Sequence, residues 1–161
     1  MANINGTNKG DRLVGTIGAD VIDGKRGDDW IEGAGGDDFI LGASGHDTFV
    51  LRAGDGHDTI ADYEPGVDRI LFDSKTGVYD GILAPLGPLY DGQEFSNSAG
   101  TATWHLSNLD IDGDGDTDAR IEMFVGGFLV GTVDLLDENF GTLASTVVIP
   151  GTLTSADLFG G

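Results

Sequence analysis

Aspartate returns every nine residues near the start of this sequence, at Asp11, Asp20, Asp29, Asp38 and Asp47, with Asp58 following after a longer gap. A carboxylate offered at fixed intervals is a hard oxygen ligand presented repeatedly to a cation. The residues around it keep the same rhythm. Read in nines from Gly6, the chain runs GTNKGDRLV, GTIGADVID, GKRGDDWIE, GAGGDDFIL and GASGHDTFV. First place is always glycine, at Gly6, Gly15, Gly24, Gly33 and Gly42. Fourth place is Lys9, then Gly18, Gly27, Gly36 and Gly45; eighth place is apolar, at Leu13, Ile22, Ile31, Ile40 and Phe49. An irregular sixth copy follows the insertion Leu51-Arg52-Ala53, with Gly56, Asp58 and Ile60 in the matching places.

Such a repeat dictates the elements that hold its carboxylates. Glycines at the first and fourth places predict a tight turn with positive φ angles, which residues bearing a Cβ resist. The last three residues predict a short strand whose apolar member points inward and whose neighbours point outward. Turn, strand, turn, strand closes one coil of 18 residues, two repeats of nine. Alternate repeats then share an edge, with Asp11, Asp29 and Asp47 on one side and Asp20, Asp38 and Asp58 on the other. Stacked strands lie about 4.8 Å apart. Bare carboxylates at that spacing repel by roughly 3 kcal/mol per pair at an effective dielectric of about 20. A divalent ion between successive turns converts the repulsion into cross-linking. With only oxygens on offer, calcium suits the ladder better than magnesium, which demands a stricter octahedron.

Beyond residue 72 the period is lost. Short β-prone runs are predicted at residues 101–106, 120–125, 128–133 and 146–149, and a short helical stretch at residues 134–140. One acidic motif stands there: Asp110, Asp112, Asp114, Asp116 and Asp118 alternate with Gly113, Gly115 and other residues. It opens like an EF-hand loop, but Ile121 holds the twelfth place and Glu122 comes one place late. An additional calcium site and a plain acidic hairpin turn are both open readings.

Composition narrows the partners. The chain has 161 residues, 28 of them glycine against a usual share of about 7%, and a formal net charge of −20. That charge repels nucleic acid and anionic membranes and favours cations. At 39% hydrophobic residues, regularly spaced, the chain is too apolar for a disordered acidic tail. There is no cysteine, so metal is an available source of cross-links. The N-terminus carries no basic region or apolar run of a cleavable signal peptide, and no stretch reaches the length of a membrane-spanning helix, so membrane insertion is not expected.

Catalytic constellations are missing. There is no His-Glu-x-x-His; His46, His57 and His105 are scattered, the first two reading as plain surface residues of turns. No Gly-x-Ser-x-Gly elbow or phosphate loop occurs. Abundant acid pairs belong to the ladder, which argues against a glycosidase. Trp30 and Trp104 are the residues that could stack on sugars, Trp30 at an outward strand position.

The blocks resemble the RTX (repeats-in-toxin, haemolysin-type) calcium-binding nonapeptide, Gly-Gly-x-Gly-x-Asp-x-apolar-x, from Gly6 to about Ile60. The segment from Gly45 through Gly56, Asp62, Gly66 and Asp68 to Ile70 looks like the exit from such a roll. The second place departs from the pattern, being Thr, Lys or Ala. The resemblance implies an all-β fold, a right-handed parallel β-roll over residues 1–72, capped by an antiparallel, sandwich-like β region over residues 73–161. It implies about four calcium ions in the roll, with one or two more at its ends. Its ligands are the paired aspartates Asp11/Asp29, Asp29/Asp47, Asp20/Asp38 and Asp38/Asp58, together with Asp62 and backbone carbonyls at Gly18, Gly27, Gly36, Gly45 and Gly56. The C-terminal half, including residues 153–159, is similar to the C-terminal region of serralysin-type secreted proteases. That implies a secreted, extracellular bacterial protein, exported by type I secretion machinery without a cleavable signal. The expectation is a monomeric, non-enzymatic module that folds on calcium, and the alternative is a polysaccharide- or surface-binding module like the alginate epimerase R-modules.

Overall fold

A computed structural model describes residues 1–73, 79–84, 94–96, 102–137 and 147–153, and places fourteen strands among them with no helix. The repeats supply β1 (Asn3–Asn5), β2 (Arg12–Val14), β3 (Val21–Asp23), β4 (Trp30–Glu32), β5 (Phe39–Leu41), β6 (Thr48–Arg52), β7 (His57–Ile60) and β8 (Arg69–Asp73). Each of β1 to β6 pairs in parallel with the strand two further on, giving β1-β3-β5-β7 in one sheet and β2-β4-β6-β8 in the other. The nine-residue period explains this, since each turn sends the chain to the opposite sheet and two turns return it one strand further along.

Register stacks the eighth-place residues in two columns. Ile4, Ile22, Ile40 and Ile60 face each other across one sheet, and Leu13, Ile31, Phe49 and Ile70 across the other. From Ile22 onward these side chains are at most 1% exposed. Each contributes roughly 2–3 kcal/mol by leaving water. The insertion before the sixth copy is absorbed by lengthening β6 to five residues.

The remaining strands are β9 (Tyr79–Ala84), β10 (Glu94–Ser96), β11 (Ala102–Leu109), β12 (Asp118–Val125), β13 (Phe128–Leu135) and β14 (Val147–Leu153). They extend the two sheets of the roll: one sheet runs β1-β3-β5-β7-β13-β12-β11-β10 and the other β14-β9-β8-β6-β4-β2. β13 joins β7 in parallel, and the added strands are otherwise antiparallel. Their inner face, with Trp104, Leu106, Ile121, Met123, Val133 and Leu135, continues the same core. Phe72 meets Trp104 at 5.5 Å between ring centroids, binding roll and extension together.

Three expectations are corrected here. Asp134 and Leu135 belong to β13, so the helical stretch does not start where it was expected; residues 138–140 lie outside the described residues. Trp30 and Trp104 are buried at 7% and 0% exposure, which removes both as sugar platforms. The first-place glycines do not take positive φ; the left-handed places are the second and fourth, from the third repeat onward. Of the C-terminal residues 153–159, only Leu153 is described.

Candidate metal centre

The turns at residues 6–11, 24–29 and 42–47 stack along one edge of the roll, and those at residues 15–20, 33–38 and 53–58 along the other. Each sixth-place aspartate reaches back one coil. Oδ1 of Asp29 accepts the N–H of Asp11 at 2.7 Å, and Oδ1 of Asp47 that of Asp29 at 2.8 Å. On the opposite edge Asp38 takes the N–H of Asp20 at 2.8 Å, and Asp58 that of Asp38 at 3.1 Å. The structure therefore brings all four expected pairs together as rungs of two ladders. One carboxylate oxygen per rung is consumed in holding the coils in register, which at Asp29, Asp38 and Asp47 leaves Oδ2 for other chemistry.

That second oxygen is packed against its own turn. A Cβ on Gly24, Gly33 or Gly42 would fall on Oδ2 of Asp29, Asp38 or Asp47, at 2.5 Å for Gly42. First-place glycine is thus required by close approach of a carboxylate, whatever its φ. Fourth-place Gly27, Gly36, Gly45 and Gly56 do take positive φ, from 109° to 146°. Gly18 does not. Second-place Lys25, Ala34 and Ala43 adopt left-handed φ of 78°, 74° and 65° with a side chain attached, the strained form of a turn that glycine usually fills.

Oδ2 of Asp29, Asp38 and Asp47 is buried and has no hydrogen-bond partner. A buried charged acceptor left unsatisfied is destabilising by several kcal/mol. Burial raises the carboxyl pKa of Asp29 and Asp38, and pushes Asp47 up to about 7 and Asp58 to about 8, with neighbouring rungs adding repulsion. Asp11 and Asp20 go the other way: N–H and hydroxyl groups hold both below the ordinary carboxylate value, led by Thr7 for Asp11 and by Ala2 for Asp20. Orphaned, buried, all-oxygen donors fit a hard divalent cation.

Two residues beyond the repeats join the site. Asp62, included on resemblance, accepts the N–H groups of Gly42 and Ala43 through its two oxygens, at 2.9 and 2.8 Å. Asp68 was missed as a ligand candidate. Its Oδ1 takes the Asp47 N–H at 2.9 Å and its Oδ2 that of Glu64 at 2.9 Å, so it is the rung after Asp47. The signal was present, since Gly66, Asp68 and Ile70 keep the spacing of the fourth, sixth and eighth places. Fifth-place residues form an outer ladder as well: Asp28 accepts from His46 N–H, and Asp37 from His57 N–H. His57 is more than a surface residue, because its Nε2 lies 2.6 Å from the buried Asp134, which also grips Arg120 at 2.7 and 2.9 Å.

The second acidic motif joins β11 to β12 as a hairpin loop. Asp110, Asp112 and Asp118 bring carboxylate oxygens within 4.8 Å of one another, as do Asp114, Asp116 and Asp137. Most of those groups already accept loop N–H bonds, and Asp118 is satisfied on both oxygens by Ile111 and Asp137. Ile121 points into the core, and Glu122 faces His105 and Thr132 across the sheet, so the closing ligand of an EF-hand is absent from the loop.

Comparison with known proteins places the first motif. Residues 5–39 and 14–49 match the family model described as RTX calcium-binding nonapeptide repeat, four copies. No curated protein matches the chain. Among solved structures it is similar to the AlgE6R3 subunit of the Azotobacter vinelandii mannuronan C5-epimerase, at 24% identity over 86% of this chain and 77% of that one, with a TM-score of 0.30. A superposition that loose carries no functional argument, and the family match rests on the repeats alone. The family match spans residues 5–49, the stretch that carries the aspartate rungs from Asp11 to Asp47.

Proposed function

We propose that this chain is a non-catalytic calcium-dependent folding module of an exported protein, unfolded where calcium is scarce and folded outside the cell. The observation that carries the reading is the row of buried, unpartnered Oδ2 atoms on Asp29, Asp38 and Asp47. Calcium supplies the positive charge that lets those oxygens be buried together. Asp29, Asp38, Asp47, Asp58 and Asp62 are the proposed roll ligands, with backbone carbonyls of the fourth-place glycines and about four ions in all. Residues 1–72 act as the calcium roll and residues 73–161 as its cap. Residues 110–118 are a secondary acidic loop.

Calcium scarcity leaves 28 acidic side chains to repel one another in a chain of net charge −20. Repulsion keeps the chain open, and binding free energy becomes folding free energy. An open chain suits passage through a type I secretion channel. Polysaccharide binding, the alternative, loses its two tryptophans to the core.

Both tryptophans report on folding because both are buried. In a calcium titration of EDTA-stripped protein, far-UV circular dichroism and tryptophan fluorescence should show one cooperative coil-to-β transition, with magnesium far less effective. A stripped protein that is already fully β and indifferent to calcium would refute the reading.

A further inference from the structure

The roll contains two kinds of turn, and the difference lies at the second place of each repeat. In the turns of Asp29, Asp38 and Asp47, the second residue (Lys25, Ala34, Ala43) and the fourth (Gly27, Gly36, Gly45) are all left-handed. Oδ2 of the aspartate is then buried without a partner. In the turns of Asp11 and Asp20 the second residues are Thr7 and Thr16. Neither they nor the fourth-place Lys9 and Gly18 take positive φ. Both threonines are exposed, and their N–H groups turn toward the aspartate instead, while the Thr16 hydroxyl bonds the Gly18 carbonyl at 3.1 Å. Thr7 donates its N–H to Asp11 Oδ2 at 2.6 Å and its hydroxyl to the same oxygen at 2.8 Å. Thr16 donates its N–H to Asp20 Oδ2 at 2.6 Å, while Asp20 Oδ1 accepts the Ala2 N–H at 2.6 Å.

We propose that Thr7 and Thr16 occupy the role a cation takes in the later turns, so that the first coil closes without metal. Asp29, Asp38 and Asp47, rather than Asp11 and Asp20, are then the rungs that take up calcium. The inference rests on the calcium reading above and refines it. Short N–H and O–H bonds to a carboxylate are charge-assisted and strong. A cation competing for Oδ2 must break them and drive the second residue into left-handed φ, which a β-branched threonine resists more than Lys, Ala or Gly. The later turns present the opposite case: their backbone is already curled and their oxygen is free. The residue at the second place therefore sets which repeats bind, and the first coil offers the ladder a metal-independent end.

Native mass spectrometry of the full chain, with calorimetric titration of calcium, tests this by counting ions. Asp11→Asn and Asp20→Asn should keep the wild-type count and shift the midpoint less than about twofold. Asp29→Asn, Asp38→Asn and Asp47→Asn should each lose an ion or weaken uptake more than tenfold. Because these three variants could lose the fold, Thr16→Gly supplies a test by gain: with Gly18 already in place, its turn can curl and should add one ion. Loss of an ion in Asp11→Asn or Asp20→Asn, or an unchanged count in Thr16→Gly, overturns the inference while calcium binding stands. A wild type that takes up no calcium overturns both.

Discussion

Lys25, Ala34 and Ala43 hold left-handed φ where a glycine would be at ease, and Ala34 shows what that strain is worth. An L-residue in this region is disfavoured by roughly 1–2 kcal/mol, against about 0.5–1 kcal/mol of extra unfolded-state entropy for glycine. Strain wins, so Ala34→Gly should raise the stability of the calcium form by about 0.5–1 kcal/mol, read from urea denaturation. The buried rungs also make stability depend on pH. Asp47 is pushed up to about 7 and Asp58 to about 8, chiefly by burial, from an ordinary 3.8. A folded state that binds a proton more tightly gains stability fully present below about pH 3.8 and lost as pH rises through about 7 to 8. In EDTA the folded fraction should therefore grow as pH falls from about 8 toward 5. Calcium affinity should move the opposite way, with protons released on uptake near neutrality. A metal-free fold that weakens on mild acidification over that window would contradict the assignment.

At the scale of elements, the decisive joint is β7 against β13, where the roll meets the antiparallel strands in parallel register from His57–Thr132 to Ile60–Leu135. Asp134 sits at this seam, 2% exposed, holding Arg120 from β12 and His57 from β7. Replacing it by alanine strands a guanidinium that is only partly open to water, so Asp134→Ala should destabilise by on the order of 2 kcal/mol. Urea denaturation at saturating calcium measures it; a change under about 0.5 kcal/mol would place the seam's strength in the apolar core instead. Strands β11 to β14 fall close to their predicted positions because alternation and turn residues mark them. β9 and β10 escaped notice, one carrying a glycine in mid-strand and the other being three residues long. The supposed helical stretch began with Asp134 and Leu135, whose parallel partners Thr59 and Ile60 lie 75 positions earlier in the chain. Local periodicity does not see such a partner.

At the scale of the molecule, a net charge of −20 on 161 residues sets the contrast between states. An unfolded chain of this length has a radius of gyration of about 42 Å, and a compact domain about 15 Å. Small-angle X-ray scattering should show calcium collapsing the first toward the second, with monovalent salt producing only partial compaction by screening. Equal radii with and without calcium would mean that repulsion does not govern the chain. The sequence by itself determined the coil period, the inward columns and the aspartate ladders, because each follows from residue types repeated at nine, and repetition makes distant contacts predictable from local ones. Tertiary structure alone decided which carboxylate oxygens are satisfied and which are orphaned, that Asp68 is a further rung, and that the C-terminal strands continue both sheets of the roll. Those outcomes depend on backbone φ at single residues and on pairings between remote segments, where nothing repeats and only packing in three dimensions selects the partner.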